Sequence, residues 1–193
     1  MEKKSLNELP VIKMFNGMNL PNKLTVIRVL MIPFYVFFAL VFPNQEWAKW
    51  ISFVIFVAAS LTDKADGYIA RKYNLVTNFG KFMDPLADKL LVCSALICFV
   101  ANGKIPAWVV IVIVAREFII SGFRLIAAEG GKVIAAGSWG KAKTVVQMVM
   151  VIVLIADLPG FAVVNNILIY AALILTVISL ADYLINNKEV LLG

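Results

Sequence analysis

Six apolar segments, at roughly 24–42, 47–70, 82–101, 106–125, 139–157 and 161–184, leave this chain of 193 residues few ways to fold. Each can cross a bilayer hydrocarbon layer of about 30 Å as a helix once its polar end is included. With 62% hydrophobic residues there is too little polar sequence to wrap these segments in a soluble shell. The expected fold is an all-α integral membrane protein with six transmembrane helices within residues 20–193. A short amphipathic lead-in, residues 1–19, mixes Lys3, Lys4 and Lys13 with Leu6, Leu9, Val11, Ile12, Met14 and Phe15. Pro43-Asn44, Asn102-Gly103, Gly130-Gly131 and Pro159-Gly160 separate the segments. Nothing resembles a cleaved leader, an internal repeat or a second domain.

Charge sets the expected orientation. Lys3, Lys4, Lys13, Lys23, Arg28, Arg71, Lys72, Lys81, Arg124, Lys132, Lys141, Lys143 and Lys188 would flank one side, and only Lys49 and Lys104 the other. Such a bias places both termini in the cytoplasm. The net charge of +6 then gathers on one face, suited to anionic lipid and anionic substrates. A nucleic-acid partner would need a soluble basic surface, which the sequence lacks. Trp47, Trp50, Trp108 and Trp139 read as interface belt residues. The absence of histidine excludes Ser-His and Cys-His nucleophiles and imidazole-bound zinc, so a general base must be a carboxylate or a lysine. Cys93 and Cys98 are spaced for neither a disulfide nor a metal pair and read as small core residues.

One stretch, Asp63 to Asp88, holds four of the twelve acidic residues between strongly apolar flanks. Asp63 and Asp66 are spaced i, i+3, and Asp84 and Asp88 i, i+4, so each pair shares a helix face. Four carboxylates at the edge of hydrocarbon repel one another unless positive charge sits among them, and one or two divalent cations would supply it. Gly67 and Ala70 fall on the same face and leave room for a ligand, while Arg71 can grip a phosphate in a fork. Gly80 permits a tight return, and Pro85 is expected near the start of the third helix, where its missing N–H costs little.

The polar ends of the other segments add Asn22, Thr25 and Arg28, then Arg116 and Glu117, then Lys141 and Lys143. Their apolar runs of about a dozen residues cover only ~18 Å of helix. The polar ends must therefore enter the inner leaflet and face one another around a wet, cytoplasm-facing cleft, acidic on one wall and basic on another. Carboxylates for metal, small residues for space and arginine for phosphate are the equipment of Mg²⁺-assisted phosphoryl transfer. Blander roles also fit: Arg28 and Arg71 as topology anchors, Arg116 in an ion pair with Glu117 or a motif aspartate, Lys141 and Lys143 against lipid headgroups.

Asp63-x2-Asp66-Gly67-x2-Ala70-Arg71-x8-Gly80-x3-Asp84-x3-Asp88 resembles the defining motif of the CDP-alcohol phosphotransferases at every fixed position. Asn22-x2-Thr25-x2-Arg28, Ala115-Arg116-Glu117-Phe118 and Gly140-Lys141-Ala142-Lys143-Thr144-x2-Gln147 resemble the branch that acts on glycerol 3-phosphate. The resemblance implies a six-helix homodimer of the bacterial cytoplasmic membrane, with its active site facing the cytoplasm. It implies two divalent cations, Mg²⁺ or Mn²⁺, held by Asp63, Asp66, Asp84 and Asp88, with Asp88 also the general base. Gly67, Ala70, Arg71 and Gly80 would hold the CDP portion of CDP-diacylglycerol. The reaction implied passes the phosphatidyl group to sn-glycerol 3-phosphate and releases CMP. Thr25, Arg28, Arg116, Arg124, Lys141 and Lys143, with Lys132, offer positive or polar groups for an anionic acceptor. Two other activities would use similar residues: a cardiolipin synthase with phosphatidylglycerol as acceptor, and a cation transporter. The one-sided placement of the acids and the lack of an inverted repeat argue against the transporter.

Overall fold

The computed structural model describes residue 15, residues 17–129, residue 134 and residues 137–188. Among them are six long helices and no strand: α1 Leu20–Val41, α2 Glu46–Lys72, α3 Asn78–Ala101, α4 Ala107–Glu129, α5 Ser138–Ala156 and α6 Ala162–Asn186. One helix answers each expected apolar segment. The surface segment expected at 1–19 lies for the most part outside the described residues, as does Lys132.

Helix starts follow from local chemistry. The Asn19 side chain caps α1 by accepting the backbone N–H of Asn22 at 3.1 Å, with Pro21 in the first turn where no donor is lost. Thr77 caps α3 in the same way, accepting the N–H of Gly80 at 3.0 Å. That cap corrects the expectation for Pro85: α3 begins at Asn78, so the proline falls inside the helix rather than near its start. Its missing N–H therefore leaves the Lys81 carbonyl without its usual helical partner. α2, at about 40 Å, exceeds the hydrocarbon thickness, and the excess is its polar end beyond Leu61.

The bundle has two unlike halves. α1 packs on α2 and α3, α5 on α6 and α2, and α4 on α6 and α3. Toward one end, Tyr35, Phe56, Leu91, Leu96, Ile113, Met150 and Leu154 form a fully buried apolar core. Toward the other, the buried polar positions are Asn22, Thr25, Arg28, Asp66, Arg116, Lys143, Gln147, Thr176 and Ser179. The outer surface inverts the soluble pattern, with Phe34, Val54, Ile111, Val163, Ile167 and Ile185 more than three-fifths exposed. Such a surface suits hydrocarbon rather than water. By length and composition α1, α5 and α6 are apolar enough to cross a membrane, whereas charged residues interrupt the apolar runs of α2, α3 and α4. Trp47, Trp50, Trp108 and Trp139 are about half exposed at the starts of α2, α4 and α5. Cys93 and Cys98 are both free, and Cys98 is part of the apolar core.

Candidate active site

The aspartates of the Asp63–Asp88 stretch lie on α2 and α3, and α1 lies against both. Three residues of α1, each one turn from the next, reach them. Asn22 accepts a hydrogen bond from the Thr77 hydroxyl at 2.9 Å, tying α1 to the cap of α3. Thr25, fully buried, donates to Asp84 Oδ1 at 2.6 Å. Arg28, also fully buried, donates from Nη1 to Asp63 Oδ1 at 2.8 Å and from Nη2 to Asp66, while Nε points at the Thr62 hydroxyl at 3.4 Å. A guanidinium forked across two carboxylates one turn apart makes charge-assisted hydrogen bonds with both.

The small residues have a geometric reason for being small. A Cβ at Gly80 would lie 3.1 Å from Asn22 Oδ1, 3.3 Å from Thr77 Oγ1 and 3.6 Å from Asp84 Oδ2, so this glycine admits the capping contact and the carboxylate together. At Gly67 a Cβ would meet only the Arg71 guanidinium, at 3.6 Å. The exposed Arg71 therefore lies back along Gly67, on the helix face that also carries Asp63.

Asp88 faces a different set of groups. It lines an open pocket with Lys89, Val92, Cys93, Glu117, Lys143, Thr144, Gln147 and Met148. It also lies in the electrostatic field of Asp63 and Arg28. On the pocket wall Glu117 accepts hydrogen bonds from Lys143 and, at 3.1 Å, from Arg116 Nη1, and Arg116 Nε donates to Ser179 at 3.1 Å. A cation–carboxylate–cation triad this deeply buried needs every member present, because deleting one strands charge out of water.

Asp63, Asp66 and Asp84 are thus brought together around α1, and Asp88 stands beside them in the pocket with Lys143. Thr25 and Arg28, expected to receive acceptor phosphate, are committed instead to the motif carboxylates. Arg116 takes the ion pair that its sequence neighbour allowed. Arg124 is exposed and stacks over the Tyr183 ring, 5.9 Å from its centroid, away from the pocket lining. Lys141 is exposed and outside that lining as well. Lys89 and Gln147 are pocket residues outside the sequence-predicted set, and Glu117, expected only as a polar helix end and a partner for Arg116, joins them. The signal for Glu117 was an acid midway along an otherwise apolar segment, which in hydrocarbon is functional by default.

The family model for "CDP-alcohol phosphatidyltransferase" matches residues 18–178. The chain belongs to the CDP-alcohol phosphatidyltransferase family. It is similar to the CDP-diacylglycerol–glycerol-3-phosphate 3-phosphatidyltransferase of Bacillus subtilis, 42% identical over 90% of this chain and 97% of that protein. The proteins of the same name from Haemophilus influenzae and Rickettsia typhi are 40% and 39% identical, each over 86% of this chain and over 91% and 94% of their own lengths.

CDP-alcohol phosphatidyltransferases use divalent metal in general. The donor set fits a hard cation, since four carboxylates at one end of the bundle offer oxygen ligands, the chain has no imidazole, and the one thiol in the Asp88 pocket is that of Cys93. As the side chains stand, no three of them converge as a group among the described residues. The Arg28 guanidinium occupies the position between Asp63 and Asp66.

Proposed function

We propose that this CDP-alcohol phosphatidyltransferase moves the phosphatidyl group of CDP-diacylglycerol to sn-glycerol 3-phosphate, giving phosphatidylglycerophosphate and CMP. The observation that carries this reading is the joining of the motif aspartates by α1, through Arg28 and Thr25, beside a pocket that Asp88 shares with Lys143. The names of relatives matched over nine-tenths or more of their length supply the donor and the acceptor.

Asp88 takes the proton of the acceptor's 1-hydroxyl, and that oxygen forms a bond to the phosphorus attached to diacylglycerol. The bond from this phosphorus to the oxygen shared with the cytidine-bearing phosphate breaks, and CMP leaves with the electron pair. Asp63, Asp66, Asp84 and Asp88 would hold two divalent cations, Mg²⁺ or Mn²⁺, whose charge offsets that of the diphosphate oxygens. Gly67, Ala70 and Arg71 leave space for the CDP portion and present a guanidinium to it, and Gly80 keeps Asp84 in place. Lys89 brings an ammonium group to the acceptor's phosphate, and Lys143, which donates one N–H to Glu117, has further N–H groups to offer it, with Arg116 holding Glu117 behind them. Arg124 and Lys141 serve the negatively charged surface of the inner leaflet rather than the pocket.

All six helices cross the membrane in this reading, with both termini and the site on the cytoplasmic side. The active unit is a homodimer, as the family resemblance implies.

The test is to incubate purified protein with CDP-diacylglycerol, Mg²⁺ and a panel of alcohols and to identify the lipid formed. Phosphatidylglycerophosphate with stoichiometric CMP is the expected result. Cardiolipin formed from phosphatidylglycerol, or metal flux into liposomes without any dependence on CDP-lipid, would overturn it.

A further inference from the structure

Gln147 lies on α5 one turn beyond Lys143, so the two side chains project from one helix face. It is only 4% exposed, and its Oε1 is fully buried with no hydrogen-bond partner among the described residues. A buried amide oxygen without a donor is costly, and native proteins rarely keep one without a use for it. Gln147 belongs to the lining of the pocket that also holds Asp88, Lys89, Glu117 and Lys143, so its amide lies at the pocket wall. Of the remaining lining, Val92, Cys93 and Met148 offer no strong donor, and the Thr144 hydroxyl is turned to the Gly140 carbonyl, to which it donates at 3.0 Å.

We infer that Gln147 is a specificity-determining contact whose amide oxygen accepts a hydrogen bond from the acceptor's secondary hydroxyl. The inference rests on the reaction proposed above. Glycerol 3-phosphate presents three polar groups along a short chain. Its 1-hydroxyl must meet the Asp88 carboxylate to lose a proton, and its phosphate is matched by the Lys89 and Lys143 ammonium groups. The group left over is the hydroxyl on the middle carbon, and the lining atom left over is a hydrogen-bond acceptor. A pocket with a buried polar atom aimed at a substrate hydroxyl rejects the analogue that lacks it, because that atom is then stranded. Glu117 does not compete for this role, since it already accepts from Lys143 and Arg116.

The experiment compares sn-glycerol 3-phosphate with 3-hydroxypropyl phosphate, which keeps the primary hydroxyl and the phosphate but lacks the secondary hydroxyl. CDP-diacylglycerol is the donor and the full chain is purified in detergent. The wild-type protein should prefer glycerol 3-phosphate by at least about tenfold in kcat/KM. In Gln147→Leu the ratio of the two kcat/KM values should fall to within about threefold of one. A wild-type ratio already near one overturns the inference without any variant. A ratio in Gln147→Leu equal to that of the wild type, with both values lowered together, also overturns it and makes Gln147 a packing residue. If Gln147→Leu does not fold, Gln147→Met is read by the same ratio. Turnover of neither acceptor by the wild type, with a different alcohol consumed instead, overturns the underlying reaction and not merely the role of Gln147.

Discussion

Arg28 Nη1 lies 2.8 Å from Asp63 Oδ1, although the two residues are 35 positions apart on different helices. With Asp66 on the other arm of the same guanidinium, a residue of α1 holds two carboxylates of the motif at fixed separation.

Removing Arg28 should therefore cost more than one hydrogen bond. Asp66 is 1% exposed, and stripping a buried carboxylate of its cation costs about 3–5 kcal/mol. Arg28→Ala is expected to lower the melting temperature in detergent markedly in EDTA and less in millimolar Mg²⁺, where a cation can replace the lost charge. Thermal unfolding with and without Mg²⁺ measures the difference, and equal losses in both conditions would show that Arg28 does not act on the carboxylates proposed to hold the metal.

Asp88→Asn preserves shape and removes the proposed proton acceptor. Turnover should drop by about 10²–10⁴-fold. Binding of CDP-diacylglycerol, read by its stabilisation of the protein against heat, should survive in part. Turnover within threefold of wild type would exclude Asp88 as the base.

The two motif glycines should behave differently. A methyl group at Gly80 would come within 3.1 Å of Asn22 Oδ1 and disturb the Thr77 cap, so Gly80→Ala should destabilise the fold by about 1–2 kcal/mol. At Gly67 the nearest atom is 3.6 Å away, and alanine suits a helix better than glycine, so Gly67→Ala should unfold no more easily than wild type. Its KM for CDP-diacylglycerol should nevertheless rise about tenfold or more, because the added methyl fills the space proposed for the nucleotide. Denaturation curves and steady-state kinetics on the pair separate the two effects.

Glu117→Gln leaves Lys143 and Arg116, 2% and 8% exposed, without their shared carboxylate. A loss of about 3–5 kcal/mol is expected. Arg124→Ala removes an exposed side chain outside the pocket and should change stability by no more than about 0.5 kcal/mol, with activity on detergent-solubilised substrate within about twofold. Measured side by side, the two variants test whether basic residues contribute by sign of charge or by placement.

What the sequence disclosed was what local spacing can encode. The Asp63/Asp66 and Asp84/Asp88 intervals announce helix faces because neighbours three and four apart coincide on a helix. Six apolar runs announced six helices. Pairings across the bundle were invisible by comparison: nothing in a run of residues says that Arg28 will meet Asp63 and Asp66, or that Lys143 will meet Glu117 26 positions earlier. From the sequence, positive charge suits phosphate, a topology anchor or an ion pair alike, whereas burial commits Arg28 and Arg116 to carboxylates first. The Pro85 expectation failed for a smaller reason. The apolar run begins only after the proline, but the Thr77 cap starts the helix well before it.

Asn22, Thr25 and Arg28 recur every third residue along α1, so a single ridge of that helix touches the cap of α3, Asp84, and the Asp63/Asp66 pair in turn. A hairpin excised as α2 and α3 alone would keep every letter of the motif and lose the jig that sets its acids at working distance. Transplanting this chemistry to another bundle means moving three helices, not two.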